Sequence, residues 1–312
     1  HDQDLGYKII SVKDLSGRDI PVTINKTMMR VNLPEPLKPG AKMEFTIDWT
    51  FNIHDRISFI GGRPGYEYFE KDGNYLYTMA EWFPRMAVYS DFQGWQNKQF
   101  MGKGEFALTF GDYKVKITVP ADHMVGATGV LQNPGSVLSP TELKRWEEAK
   151  KSYDKPVIIR TQSETEKLEK GRSKDKKSWI YHAENVRDFA WTSSRKLIWD
   201  AMAVKQQNRD VMAMSYYGKE GNPLWEQYST KVVAHTIKSY GAKTFDYPYP
   251  VAISVEASNG MEYPMICFNY GRPDADGTYS DAVKYGMISV IIHEVGHNFF
   301  PMIVNSDERQ WT

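Results

Sequence analysis

Residues 287–300 read MISVIIHEVGHNFF and contain an H-E-x-x-H pattern, His293-Glu294-Val295-Gly296-His297, inside an apolar segment. A helix brings residues four apart onto one face, so His293 and His297 can bind one zinc ion together. Glu294 then projects beside the ion, where its carboxylate can accept a proton from a water molecule that the metal activates. This stretch therefore predicts a zinc site on a mostly buried helix.

The alternative is a surface helix whose histidines and glutamate share no role. That alternative fits poorly, because a buried helix would otherwise carry three ionisable groups with nothing to offset their desolvation. The apolar neighbours are Met287, Ile288, Val290, Ile291, Ile292, Val295, Phe299 and Phe300. We therefore expect the three polar side chains to form a functional metal site.

The pattern supplies only two of the three protein ligands that a catalytic zinc ion usually has. A metzincin would need glycine at position 300 and histidine at position 303, where Phe300 and Ile303 stand. Asp307 and Glu308 are nearby carboxylates, but they follow His297 by only ten and eleven residues, and we do not favour either. The third ligand therefore decides the subclass of zinc site.

A second element, Gly260-Met261-Glu262-Tyr263-Pro264, follows the strand-like segment 251–255, and its glutamate lies 31 residues before His293. Taken alone, this element is a turn with an exposed acid. Beside a zinc helix, however, a glutamate at the rim of a strand can hold the ammonium group of a substrate. The two elements together therefore favour a site that recognises an amine.

These elements resemble the aminopeptidase-N family of gluzincin zinc peptidases. The family pattern is a G-x-M-E-N-type strand, then H-E-x-x-H, then a glutamate nineteen residues after the second histidine. The resemblance implies that His293 and His297 bind one Zn²⁺ and that Glu294 activates water. It places the third ligand, a glutamate, and a catalytic tyrosine beyond Thr312, so we expect the sequence to end before the zinc site is complete.

The resemblance also implies how a peptide with a free amino terminus binds. Glu262 would hold the ammonium group, and the backbone of Gly260 and Met261 would align the substrate as an added strand. The segment Ala80-Glu81-Trp82-Phe83-Pro84 is similar to one in bacterial members, which implies that Glu81 helps Glu262. Tyr263 and Pro264 depart from the asparagine of better-known members, which leaves the exopeptidase specificity open.

The predicted fold class is α+β. The resemblance implies a sheet-rich amino-terminal domain over residues 1–185, followed by an incomplete thermolysin-like catalytic domain over residues 186–312. Alternating apolar side chains predict a strand at 43–51, and the strand-like segments 106–110 and 113–119 predict a hairpin whose loop is Gly111-Asp112. Helical spacing predicts helices over 224–240 and 280–304, separated by a β-rich stretch at 249–270.

Residues 139–177 are densely charged and open with Ser139-Pro140-Thr141-Glu142, a capping box with proline at the first helical position. We interpret them as an exposed helix followed by a solvated loop. Both signs of charge are mixed in this segment, so a solvated face is a better interpretation than a partner surface.

The charge balance excludes one class of partner. The 39 basic and 39 acidic residues cancel, so no basic surface field favours nucleic acid. The single Cys267 cannot form an internal disulfide and predicts a buried, inert thiol. We expect no membrane span and no signal segment in this sequence, since its longest apolar runs are short and it begins with His1. Resemblance to bacterial members suggests a secreted, periplasmic or envelope location.

Two other functions remain open from the sequence. A thermolysin-type endopeptidase or a bifunctional hydrolase would use the same zinc site but would also cleave amino-blocked peptides. A non-catalytic scaffold would keep the fold without the chemistry, although it would have little reason to retain a buried Glu294 beside two imidazoles.

Overall fold

The structure is a computed structural model that describes residues 4–58, 63–100 and 108–304 of the 312-residue chain. The strands are β1 (Lys8–Asp14), β2 (Val22–Asn25), β3 (Met28–Val31), β4 (Phe45–Thr50), β5 (Gly65–Phe69), β6 (Asn74–Met79), β7 (Tyr89–Ser90), β8 (Gly94–Trp95), β9 (Gly111–Pro120), β10 (Met124–Ala127), β11 (Val130–Leu131), β12 (Val157–Arg160), β13 (Lys176–Val186), β14 (Trp191–Ser194), β15 (Ile198–Lys205), β16 (Asp210–Tyr217), β17 (Val251–Glu256), β18 (Met261–Tyr263) and β19 (Ile266–Asn269). The helices are α1 (Pro134–Val137), α2 (Pro140–Ala149), α3 (Gln162–Glu169), α4 (Leu224–Gly241) and α5 (Asp281–Gly296), and Lys219–Gly221 forms a 3-10 turn. This content confirms the predicted α+β class.

The chain divides into two compact units. The described residues of the first unit are 4–54, 83–100 and 108–109, and those of the second are 55–58, 63–82 and 110–304. The predicted boundary between residues 185 and 186 lies within β13, inside the second unit. The division into an amino-terminal domain and a catalytic domain stays a prediction.

The described residues of the first unit form three two-stranded antiparallel sheets, β1–β4, β2–β3 and β7–β8. In β4, Phe45, Ile47 and Trp49 are half-buried, whereas the intervening side chains are exposed. This alternation confirms the strand predicted over 43–51, since successive side chains of a strand point to opposite faces.

The second unit is built on a six-stranded sheet with the order β12-β15-β16-β17-β19-β18. Strands β16, β17 and β19 run parallel, whereas the pairs on either side of them are antiparallel. The largely buried strands β16 and β17 form its centre, and α4 and α5 pack on the sheet and on each other. A four-stranded sheet, β10-β14-β6-β5, and a three-stranded sheet, β11-β13-β9, complete this unit.

Three local predictions need correction. Gly111 and Asp112 do not form a hairpin loop but begin β9, because Gly111 pairs with Val186 of β13; residues 106 and 107 lie outside the described residues. The helix predicted over 280–304 ends at Gly296. Beyond it the chain folds back, and the backbone N–H of Met302 donates a hydrogen bond to His297 O at 3.0 Å.

The third correction concerns the charged segment 139–177. Its capping box at Ser139 and Glu142 is present, but the solvated loop is not, because β12 lies within the segment and forms an edge of the six-stranded sheet. Glu142 turns inward and accepts a hydrogen bond from buried Arg160 at 2.5 Å. The charge run therefore includes an ion pair that anchors α2 to the sheet.

In the described part of the chain, no helix is both long and apolar enough to cross a membrane.

A buried carboxyl lies on β15 of the six-stranded sheet. Asp200 of β15 is 1% exposed and accepts hydrogen bonds from Tyr217 Oη at 2.6 Å and from Thr230 Oγ1. Burial raises the pKa of Asp200 to about 7, and the two hydroxyl donors only partly oppose this shift. The neutral acid is therefore favoured in the folded protein more than in the unfolded chain.

This shift predicts a pH-dependent stability with a definite sign. Because the pKa of Asp200 is higher in the folded state, its contribution is complete below pH 3.8 and is lost as pH rises to about 7. Asp200→Asn cannot ionise, so its stability should not depend on pH through this residue. Between these limits we expect the free energy of unfolding of wild type to fall relative to that of the variant by up to about 1.4 kcal/mol per pH unit. Urea unfolding of both proteins from pH 4 to 8 measures this difference, and parallel stability curves would contradict the assignment.

Candidate metal centre

Helix α5 carries the predicted metal ligands because its ends and apolar residues fix its position. Ser280 caps the amino terminus by accepting a hydrogen bond from the Val283 N–H at 3.2 Å, and Asp281 complements the dipole in the first turn. The buried residues Met287, Ile291 and Val295 anchor the helix within the second unit. His297 is the C-cap and keeps helical geometry, so its four-residue relation to His293 is preserved.

The two histidines converge on one side of α5. Their Nε2 atoms lie 3.0 Å apart, and their rings are nearly perpendicular, with an interplanar angle of 84°. His293 is exposed and His297 half-buried, whereas Glu294 is only 6% exposed. One ligand atom from each of these three residues lies within 4.8 Å of the others.

A backbone contact orients His297. Its Nδ1 lies 3.1 Å from the carbonyl oxygen of Phe300, which can only accept a hydrogen bond. Nδ1 must therefore carry the proton in this contact, and the lone pair of Nε2 is left to face His293.

The donor set fits a zinc ion. Tetrahedral ligands about 2.0–2.1 Å from zinc lie roughly 3.3 Å from one another, which is close to the observed separation of the imidazole nitrogens. Asp307 and Glu308, weighed as third ligands, lie outside the described residues. The glutamate expected beyond Thr312 stays a prediction.

The Gly260–Glu262 element lies directly beside Glu294. A Cβ atom at Gly260 would lie 2.6 Å from Glu294 Oε1 and 3.1 Å from Val290 Cγ2, so a side chain at this position would displace the carboxylate from its observed place. The element leads into β18, which is the edge strand of the six-stranded sheet within the described residues. The edge of the sheet therefore runs past the candidate base.

Glu262 is half-buried in the middle of β18 and pairs with Cys267 of β19. Cys267 is a buried free thiol, as predicted. Burial is the main reason that its pKa is raised, and the carboxylates of Glu294 and Glu262 raise it further. Both acids are thus close enough to the same thiol to act on it electrostatically.

Glu81 follows β6 in a bend and is half-buried, with a φ of +47°. This left-handed backbone is uncommon for a residue other than glycine. The neighbouring Trp82 donates its indole N–H to Phe189 O at 2.9 Å. The role of Glu81 in amine binding stays a prediction.

Sequence reasoning missed three buried residues that support this centre. Asn298 Oδ1 accepts a hydrogen bond from the Met265 N–H at 2.8 Å, and Thr128 Oγ1 donates to Pro264 O at 2.9 Å. Tyr247 Oη lies 3.3 Å from Asn298 Oδ1. A polar Asn298 directly before Phe299 and Phe300 was the one available signal, whereas Thr128 and Tyr247 lie far from the motif in sequence.

Known proteins resemble this chain in fold but not detectably in sequence. No protein-family model matches the sequence, and a comparison with curated proteins finds no match. Among solved structures, the chain is similar to an M1 zinc metallopeptidase from Deinococcus radiodurans, with a TM-score of 0.57, 13% identity and coverage of 96% of this chain. It is also similar to a mutant M1 zinc metallopeptidase from the same organism bound to a Tyr-Ser-Ala substrate, with a TM-score of 0.53 and 13% identity over 96% of this chain.

A third similar structure is a two-domain M1 zinc metallopeptidase mutant bound to L-arginine, with a TM-score of 0.55 and 12% identity over 96% of this chain. The present chain spans 56% of the length of each of the three structures. At these identities the likeness shows the fold, which is that of M1 zinc metallopeptidases over the part of them that this chain covers.

The position of α5 depends on a second close approach. A Cβ atom at Gly296 would lie 2.8 Å from Tyr240 Oη and 2.9 Å from Tyr240 Cζ, and the Tyr240 ring is itself packed against Phe299 at 5.3 Å. We expect Gly296→Ala to lower the free energy of unfolding by about 1–3 kcal/mol through overpacking.

Gly286→Ala is the matched control, because Gly286 lies in the same helix with no atom within 4 Å of its added Cβ. We expect this control to gain about 0.5–1 kcal/mol from helix propensity. Urea denaturation of both variants measures the difference, and equal effects of the two substitutions would contradict the packing described for α4 and α5.

Proposed function

We propose that the protein is a zinc-dependent aminopeptidase that hydrolyses the first peptide bond of peptides with a free amino terminus. The observation that carries this proposal is the convergence of His293 and His297 beside a buried Glu294. Gly260 lies next to the Glu294 carboxylate and precedes the edge strand β18. The fold of M1 zinc metallopeptidases supports it. One zinc ion per site, when bound, supplies a Lewis acid that polarises the scissile carbonyl and makes water nucleophilic near neutral pH.

In this proposal His293 and His297 hold the ion, and Glu294 handles the proton. The Glu294 carboxylate accepts a proton from the attacking water and delivers it to the departing amine. Its burial shields the carboxylate from bulk water, and the close approach of Gly260 restricts where its oxygens can lie. A third protein ligand is expected from the rest of the family pattern.

Glu262 would select the substrate. It lies on β18, the strand next to Glu294, and its carboxylate can pair with the ammonium group at the end of a peptide. A peptide added along the edge of β18 would be held by backbone hydrogen bonds, with its amino terminus at Glu262. We propose Glu81 as a second acid for the same ammonium group.

Metal content tests the first part of this proposal. We expect about one zinc per chain in the full-length protein, and loss of most of it in His297→Ala because one of two imidazole ligands is removed. His235→Ala is the control, since that histidine is exposed on α4 and its Nε2 lies 3.1 Å from Ser239 Oγ. Atomic absorption after gel filtration gives the ratios, and a zinc-free wild type would overturn the assignment of the site.

Substrate discrimination tests the second part. Wild type should release free amino acids from unblocked peptides and leave amino-acetylated peptides uncleaved, because Glu262 needs a charged amine. In Glu262→Gln we expect kcat/KM for unblocked peptides to fall by about 10- to 100-fold, as expected for loss of a charge-assisted hydrogen bond.

The outcome for blocked peptides separates the rival functions. Equal cleavage of both peptides by wild type would indicate an endopeptidase, whereas zinc binding without turnover of either peptide would indicate a scaffold.

A further inference from the structure

The turn that joins β18 to β19 has an unusual backbone. It consists of Pro264 and Met265, and Met265 has a φ of +65° although it is not a glycine. A two-residue turn with proline first and a left-handed second residue corresponds to type II, a position that normally selects glycine or asparagine. Met265 is also 1% exposed, so its side chain is fixed in the core.

The central peptide of this turn is held from both sides. Its carbonyl, Pro264 O, accepts a hydrogen bond from Thr128 Oγ1 at 2.9 Å, and its N–H, on Met265, donates to Asn298 Oδ1 at 2.8 Å. Types I and II differ chiefly by rotation of this peptide through about 180°. The two side chains therefore select the orientation that the local sequence does not favour.

Asn298 joins this turn to the metal-binding helix. It directly follows His297, is 2% exposed, and donates from Nδ2 to Val295 O at 3.3 Å. Its Oδ1 also lies 3.3 Å from Tyr247 Oη, which donates to Val251 O at the start of β17 at 3.0 Å. One side chain thus contacts the end of α5, the β18–β19 turn and, through Tyr247, the neighbouring strand.

We propose that Asn298 is a positioning residue that sets the location of β18, and with it Glu262, relative to His297 and Glu294. This inference rests on the proposed function, in which Glu262 recognises the free amine of a peptide. Without the Asn298 acceptor the turn peptide can rotate, and Glu262, two residues before the turn, loses its fixed distance from the metal. Asn298 would therefore act on substrate recognition without touching substrate or metal.

Hydrogen exchange tests the structural step without any requirement for metal or activity. In Asn298→Ala we expect the Met265 amide to exchange at least about tenfold faster than in wild type, because its acceptor is gone. The matched control is Asn74→Ala, because Asn74 is fully buried, donates to Asp72 O at 3.1 Å and accepts from Arg195 at 3.2 Å, but belongs to the β5–β6 hairpin. That control should leave exchange of the Met265 amide unchanged.

Kinetics on the full-length protein test the functional step. For Asn298→Ala we expect KM for unblocked peptides to rise about tenfold, with a smaller change in kcat. The preference for unblocked over acetylated peptides should fall by a similar factor. Asn74→Ala should keep the wild-type preference even if it lowers the unfolding temperature equally.

Two further variants keep the test decisive if Asn298→Ala does not fold. Asn298→Asp should restore most of the preference, because a carboxyl oxygen at this position can still accept the hydrogen bond from the Met265 N–H. Thr128→Val removes the other hydrogen bond to the same peptide and should reduce the preference with zinc affinity unchanged, since Thr128 makes its bonds to Pro264 and Ala190.

The outcomes separate the inference from the function beneath it. A wild type that binds no zinc, or that cleaves both peptides equally, would overturn the proposed function. The positioning role alone would be overturned by a different pair of results. In that case wild type discriminates between the peptides, but Asn298→Ala and Thr128→Val match Asn74→Ala in both amide exchange and peptide preference.

Discussion

The convergence of two imidazole nitrogens, 3.0 Å apart on one side of α5, is the constraint on which the rest of the second unit depends. It requires helical geometry to persist through His297 and a fixed ring orientation, which the Phe300 carbonyl supplies. It also requires a fixed position of α5 relative to the protein surface, because His293 is exposed while Glu294 is buried. Two glycines allow the close packing that this position needs: Gly296 lies against Tyr240 of α4, and Gly260 lies against the Glu294 carboxylate.

The electrostatics of the site are dominated by a buried acid, Glu294, beside the two imidazoles. A carboxylate in a dry environment is costly unless something compensates it, and a cation held by His293 and His297 would do so. Burial raises the pKa of Cys267 on β19, and the negative charges of Glu294 and Glu262 raise it further, so this thiol stays neutral. Such surroundings would suit the positively charged groups that we propose, a metal ion at the histidines and an ammonium group at Glu262.

Local patterns in the sequence were sufficient for the parts of this account that depend on neighbours along the chain. The H-E-x-x-H spacing predicts the paired histidines, the capping box at Ser139 predicts α2, and alternation predicts β4. The hairpin at Gly111-Asp112 and the solvated loop after α2 were wrong because long-range pairing decides them: β9 pairs with β13, and β12 joins the edge of the central sheet. The link from Asn298 to the Met265 N–H spans 33 residues and has no periodic signature, so only the fold reveals it.

A crystal structure of the full-length protein with zinc, measured at the zinc absorption edge, tests the central claim most directly. The account predicts one anomalous peak within about 2.1 Å of the Nε2 atoms of both His293 and His297, with the Glu294 carboxylate beside it but outside the ligand shell. A peak at other residues, or a chain without an anomalous peak in crystals grown with zinc, would contradict it.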